Sequence, residues 1–347
     1  MIYIHQSSCI SPQTSFPVVD LKHLVGSVNN KLKVIEPDYP GIPPGILRRM
    51  GKAVRMAVGS ALPLLASGPP AGGIIIGTAN GGMEDCIKFL NQIIEYEEGL
   101  LTPGNFVQST PNAIASQIGL LQSNKGYNIT HVHRGLAFEN AVLDTEMLVE
   151  EHPGQTFLLG AVDEISNYNF NIDYLGGWYK KEIVANAELY QSKTVASIAG
   201  EGAAMFLVSG EAEGAKARLD GIAMIHSHEE IRVIQGLSDF LDKKLKAGKT
   251  IDLLITGENG DNRLINYYTA AEAVVDRSTT LARFKHMSGE YPTAASMACW
   301  LGCHILATQE LPTHMVKRQS ENNGFEQILI YNNYKGAQHS FILLSKV

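Results

Sequence analysis

The chain has 347 residues, 45% hydrophobic and 18% charged, which suits one large buried core or two smaller ones. Its net charge of −7 gives no bulk attraction for a polyanion and argues against a nucleic-acid partner. Four cysteines (Cys9, Cys86, Cys299, Cys303) are too few and too scattered for a disulfide framework or zinc ribbon, so no metal and no cofactor are expected. The opening MIYIHQSSCISP has no secretory pattern. No apolar run reaches the roughly 18–20 residues of a membrane span. The expected setting is cytoplasmic and reducing.

In chain order, helical periodicity predicts a helix over 45–65, and the run IIIG predicts a strand over 74–77. Helices are predicted over 83–95, 110–121 and 135–151, followed by a strand over 156–161. The stretch 167–195 carries an aromatic cluster and reads as a lid-like connection or a packed surface loop. Strands follow at 203–209, 221–226 and 251–256, with a helix over 229–247 among them. The last elements are helices over 267–275 and 293–307 and strands at 327–331 and 340–344. Alternating strands and helices predict an α/β fold with layered sheets.

Each half carries a strand running into a polar turn, IIIGTANGG in one and LLITGENGDN in the other, which suggests duplication. The expected organisation is a first half over 1–170, a connecting or inserted segment over 171–217, and a second half over 218–347.

Several motifs fail on inspection. Gly77-Thr-Ala-Asn-Gly-Gly82 is not GxGxxG and lacks the later acidic residue of a dinucleotide site. Ala247-Gly-Lys-Thr250 mimics the end of a phosphate loop, but it runs from helix to strand and lacks the leading glycine. His226 and His228 flank Ser227 at a strand end and read as exposed rather than metal-binding. No GxSxG elbow is present. Cys299 and Cys303 share a helix face and read as small packing residues.

A set of segments in order resembles the β-ketoacyl-acyl-carrier-protein synthase (ketosynthase) family of the thiolase fold. Arg48-Arg-Met-Gly-Lys-Ala-Val-Arg55 resembles the family's early basic helix, and Gly77–Gly82 its glycine turn. Phe106–Gly119, Gly160-Ala-Val-Asp-Glu-Ile-Ser166, Gly200–Phe206 and Tyr331–Ser340 resemble later landmarks. The resemblance implies a thiolase-like fold, two similar halves in a layered αβαβα architecture, that is generally dimeric.

The family's chemistry uses a cysteine that takes an acyl chain as a thioester and two histidines that support malonyl decarboxylation. Matched residue by residue, Val132 stands at the cysteine's place in Thr130-His-Val-His-Arg-Gly135. Glu258 stands at the first histidine's place in Ile255-Thr-Gly-Glu258. Glu290 stands at the second, five residues after a retained Lys285. These are degenerate positions, and no catalytic residue is confirmed.

Lys285 and Arg134 are the candidate ion-pair partners of the two glutamates, and His131, His133 and Arg134 are pocket candidates. The resemblance implies a chain-length-factor type of non-catalytic subunit, dimeric with an active ketosynthase or with itself, with an acyl carrier protein as a further partner. The other reading is an acyl-thioester decarboxylase or hydrolase using Glu258 and Glu290 as acid and base. Arg48, Lys52 and Arg55 would share one face of the 45–65 helix and, with Arg49, are docking candidates for carrier protein or partner.

Overall fold

The structure is a computed structural model that describes residues 1–66, 69–245, 248–321 and 324–347. Eleven strands form one mixed sheet. Its first-half strands are β1 (Ile2–Ile10), β3 (Gly73–Thr78), β4 (Tyr127–Val132), β5 (Phe157–Asp163) and β7 (Gly202–Ser209). Its second-half strands are β8 (Ala217–His226), β9 (Leu253–Thr256), β10 (Thr280–Arg283), β12 (Gln327–Tyr334) and β13 (Gln338–Ser345). Strand β11 (Val316–Arg318) joins the outer side of β10, and β2 (Lys31–Leu32) pairs with β6 (Ala199–Gly200) as a separate small sheet.

The duplication is explicit in this topology. The first half runs β4-β3-β5-β7-β1 and the second β10-β9-β12-β13-β8. Strand directions also match: β3 is parallel to β4 and β5, as β9 is to β10 and β12. In each half the fourth strand is antiparallel to the fifth, and the fifth strand of each is β7 or β13. Three residue pairs between β1 and β8 join the halves.

This corrects the expected segmentation. Residues 171–217 do not form a mere connection, because β7 lies within them and is flanked on both sides in the first half's sheet. The aromatic stretch before it opens with helix α7 (Asn167–Leu175), which Ser166 starts with a reciprocal capping box.

Alternation along the strands builds the layers. Ile75, Leu159, Phe206, Ile255, Ile330 and Ile342 face one shared core. Their neighbours Ile74, Leu158 and Leu207 face a second core, and Leu254, Leu329 and Phe341 a third. Strands buried on both faces must be apolar at nearly every position, as IIIG, TFLLGA and IDLLIT are.

The shared core is filled by α6 (Ala137–Glu151) and α11 (Ala294–Thr308). Helix α11 is buried at twelve of its 15 positions, which its small-residue sequence AASMACWLGC permits. The outer layers are α2 (Lys52–Ala66) with α5 (Ala113–Leu121) on one side, and α8 (Glu230–Lys244) with α9 (Ile265–Val274) on the other. The result is the layered αβαβα arrangement.

The predicted helix over 45–65 is in fact α1 (Pro44–Leu47) and α2, separated by a turn at 48–51. Arg48 therefore does not share a helical face with Lys52 and Arg55. The predicted helix over 110–121 begins later, at Ala113, after the separate short α4 (Pro103–Gln108); α3 (Met83–Glu95) falls where expected. The predicted end of α8 at Ala247 lies outside the described residues. Among the described residues no helix is long and apolar enough to cross a membrane.

Candidate functional site

The site sits where the carboxyl ends of β3, β4, β5, β9, β10 and β12 meet the starts of α6 and α11. Short helix α10 (Lys285–Ser288) follows β10 and ends at Gly289, whose φ of 68° favours glycine. A side chain there would also collide with the chain at Ala199, 2.5 Å from its carbonyl oxygen. The tight approach lets Glu290 bridge to the β6 segment: its N–H donates to the Ile198 carbonyl at 2.8 Å, and its carbonyl accepts from Gly200 N–H at 3.0 Å.

That backbone anchoring aims the Glu290 side chain at Lys285. Lys285 Nζ donates to Glu290 Oε1 at 2.6 Å, and Asn259 Nδ2 donates to Glu290 Oε2 at 2.7 Å. Lys285 is fully buried, and this carboxylate is the counter-ion that offsets burying its ammonium group. Glu258 belongs to a second network. Arg283 Nη1 donates to its Oε1 at 3.1 Å, and Lys317 Nζ to its Oε2 at 2.6 Å. Lys317 also reaches Glu272 at 2.7 Å, while Arg283 stacks on the Tyr190 ring.

Of the two expected partners, Lys285 does pair with Glu290. Arg134 is exposed and pairs with neither glutamate; Arg283 and Lys317 hold Glu258 instead.

Val132 lies apart from these networks. It ends edge strand β4 and is 55% exposed, whereas Glu258 and Glu290 are 4% and 7% exposed. His131 Nε2 meets Asp144 of α6 at 2.8 Å, and Tyr127 donates to the same carboxylate at 3.1 Å. His133 is half-buried, its N–H bonded to the Thr78 carbonyl and its Nδ1 buried without a partner. Among the docking candidates, Lys52 is ion-paired with buried Glu201, and Arg55 grips Glu36 with two donors at 3.0 and 3.1 Å. Arg48 and Arg49 are exposed and have no ion pair among the described residues.

Two buried acids in this region escaped the sequence reading. Asp163, at the end of β5, accepts from Thr78 Oγ1, Ala79 N–H, Asn80 N–H and, across the site, Thr293 Oγ1 at 2.8–3.1 Å. It ties the Gly77–Gly82 turn to the start of α11. Burial pushes its carboxyl upward, and these bonds oppose that rise.

Glu139 in α6 is wholly buried. Its Oε1 accepts from Ser340 at 2.6 Å and its Oε2 meets no donor, so burial raises its pKa to about 7 despite nearby Lys285. The available signal was an acidic residue on the inward face of a helix, one turn after Gly135.

Residues 27–172 match the family described as Beta-ketoacyl synthase, N-terminal domain. The chain has the thiolase-like fold of the ketosynthases. Its whole length superposes on a β-ketoacyl synthase from Burkholderia phymatum STM815, with a TM-score of 0.80 at 13% identity over 100% of this chain and 99% of that one. The ishigamide ketosynthase/chain length factor gives a TM-score of 0.78 at 14% identity, over 100% and 99%. A Xenorhabdus doucetiae ketosynthase, ApeO, in complex with its chain length factor, ApeC, gives 0.74 at 12%, over 100% and 98%. At such identities the likeness speaks for the ketosynthase fold. A search of curated proteins finds no match.

Proposed function

We propose that this ketosynthase-like chain is a non-catalytic, chain-length-factor-type partner of an active β-ketoacyl-acyl-carrier-protein synthase, in fatty acid, polyketide or aryl-polyene-type biosynthesis. The observation that carries the reading is the engagement of both glutamates at the positions that the resemblance gives to histidines. Both oxygens of Glu258 are held by cations, and both oxygens of Glu290 by Lys285 and Asn259. Carboxylates so committed make poor proton carriers, and their charge opposes a malonyl carboxylate or an enolate. Val132 offers no nucleophile at the cysteine's place.

The surface around β4 supports the pairing. Among the described residues no strand pairs with the outer side of this edge strand; its own Val132 is 55% exposed, and Leu120 of α5 and Met147 of α6 are 74% and 58% exposed. An open, partly apolar sheet edge is a surface that a partner covers. Arg48 and Arg49, free of ion pairs, are the docking candidates that remain available to an acidic carrier protein.

The test is the triple variant Val132→Cys, Glu258→His, Glu290→His. It removes two carboxylates, leaving Lys285 and Arg283 without their anionic partners and Lys317 with Glu272 alone, so it is expected not to gain useful condensing turnover. Turnover of a carrier-bound thioester by the unaltered chain, lost in Glu258→Gln, would replace this reading with the acid/base one.

A further inference from the structure

A second concave site lies away from the two glutamate networks. A cavity of about 550 Å³ opens between the turn at 48–51, helices α3 and α4, and the segment after β5. That volume is within the range of small-molecule sites.

Its walls are chemically divided. Gln108 is 9% exposed and lines the cavity, and its buried Oε1 meets no donor. Glu164, 8% exposed, lines it too; one oxygen accepts from Ala53 N–H at 3.1 Å and the other takes no hydrogen bond among the described residues. The lysines and Arg55 on this wall are committed to other carboxylates. Lys52 is committed to Glu201, and Lys88 sits with Glu84 at 3.1 Å and near Asp85 at 4.0 Å. Arg48 and Arg49 are the exposed unpaired cations on the same cavity.

We propose that this cavity binds a small zwitterion, its ammonium group hydrogen-bonded to Gln108 Oε1 and Glu164 and its carboxylate at Arg48 and Arg49. An orphaned buried acceptor is costly, and a bound donor removes that cost. The carboxyl of Glu164 is raised to about 7 by burial and by the repulsion of Glu84 and Glu201. An ammonium beside it favours the ionised form, so binding near neutral pH passes a proton from Glu164 to the buffer. Gln108 and Glu164 take no part in either glutamate network, and the site shares Arg48 and Arg49 with the carrier-docking face of the partner-subunit reading.

The experiment is calorimetric titration of the full chain at pH 7 with ω-amino acids from glycine to 6-aminohexanoate. At least one is expected to bind with Kd near or below ~1 mM. Its heat should vary with the ionisation enthalpy of the buffer. Glu164→Gln keeps an acceptor for Ala53 and Gln108→Leu removes the orphaned carbonyl. Each is expected to stay folded by circular dichroism and to weaken binding about tenfold or more. Butylamine and butyrate, each carrying one end of the ligand, should bind at least about tenfold more weakly. No binding by any member at about 10 mM, or equal binding by the variants or by butyrate, overturns the proposal.

Discussion

Strands β4 and β10 occupy equivalent places, each third along its half and outermost in its set of five. They end differently. Strand β10 is covered by antiparallel β11, and the loops that follow β9 and β10 hold Glu258 and Glu290 in buried ion pairs. Among the described residues no strand pairs with the outer side of β4, and its last residue, Val132, is more than half exposed. Duplicated halves thus differ at their outer strands: β10 is covered and lies beside charge-paired loops, and β4 presents an open edge.

The closed side gives the largest expected effect. Glu290→Gln leaves Lys285 buried without its counter-ion and should cost about 3–5 kcal/mol, read as a lower denaturant midpoint. Replacing both partners by apolar residues of similar volume should recover most of that loss. On the open side, Leu120→Asp or Val132→Asp should weaken partner association by about 2–4 kcal/mol while leaving the isolated chain's midpoint nearly unchanged. A fall in stability as large as that of Glu290→Gln would erase the distinction between the two edges.

Glu139 sharpens the comparison through pH. Its folded pKa of about 7 lies above that of an unfolded glutamate, so the folded state holds the proton more tightly. The stability it contributes is present at low pH and is lost as pH rises from about 4.5 to 7. Glu139→Gln should match the parent near pH 4 to 5 and exceed it by about 1–3 kcal/mol above pH 8, measured by chemical denaturation at both pH values. The smallest effect is expected from Glu258→Gln. Its partners Arg283 and Lys317 retain some solvent contact, so the loss should be about 1–2 kcal/mol and should shrink in high salt.

The sequence made the doubly buried strands readable, because burial on both faces demands unbroken runs such as IIIG and TFLLGA. Strand β4, YNITHV, was unreadable for the opposite reason: an exposed edge tolerates polar residues. Strand β10 is only four residues long, and the 45–65 periodicity hid the turn that separates α1 from α2. At the site, Lys285 and Glu290 lie five apart around a glycine turn, so their pairing was legible. Arg283 and Lys317 reach Glu258 from positions 25 and 59 residues away, a convergence set by the parallel packing of β9 and β10 and the return of β11.

The most direct measurement of the central claim is native isolation of this chain from its source cell, followed by identification of whatever co-elutes. The account predicts a stoichiometric complex with a ketosynthase that keeps its nucleophilic cysteine, lost when Leu120 or Val132 is changed to aspartate. A lone homodimer that turns over a carrier-bound thioester by itself would contradict it.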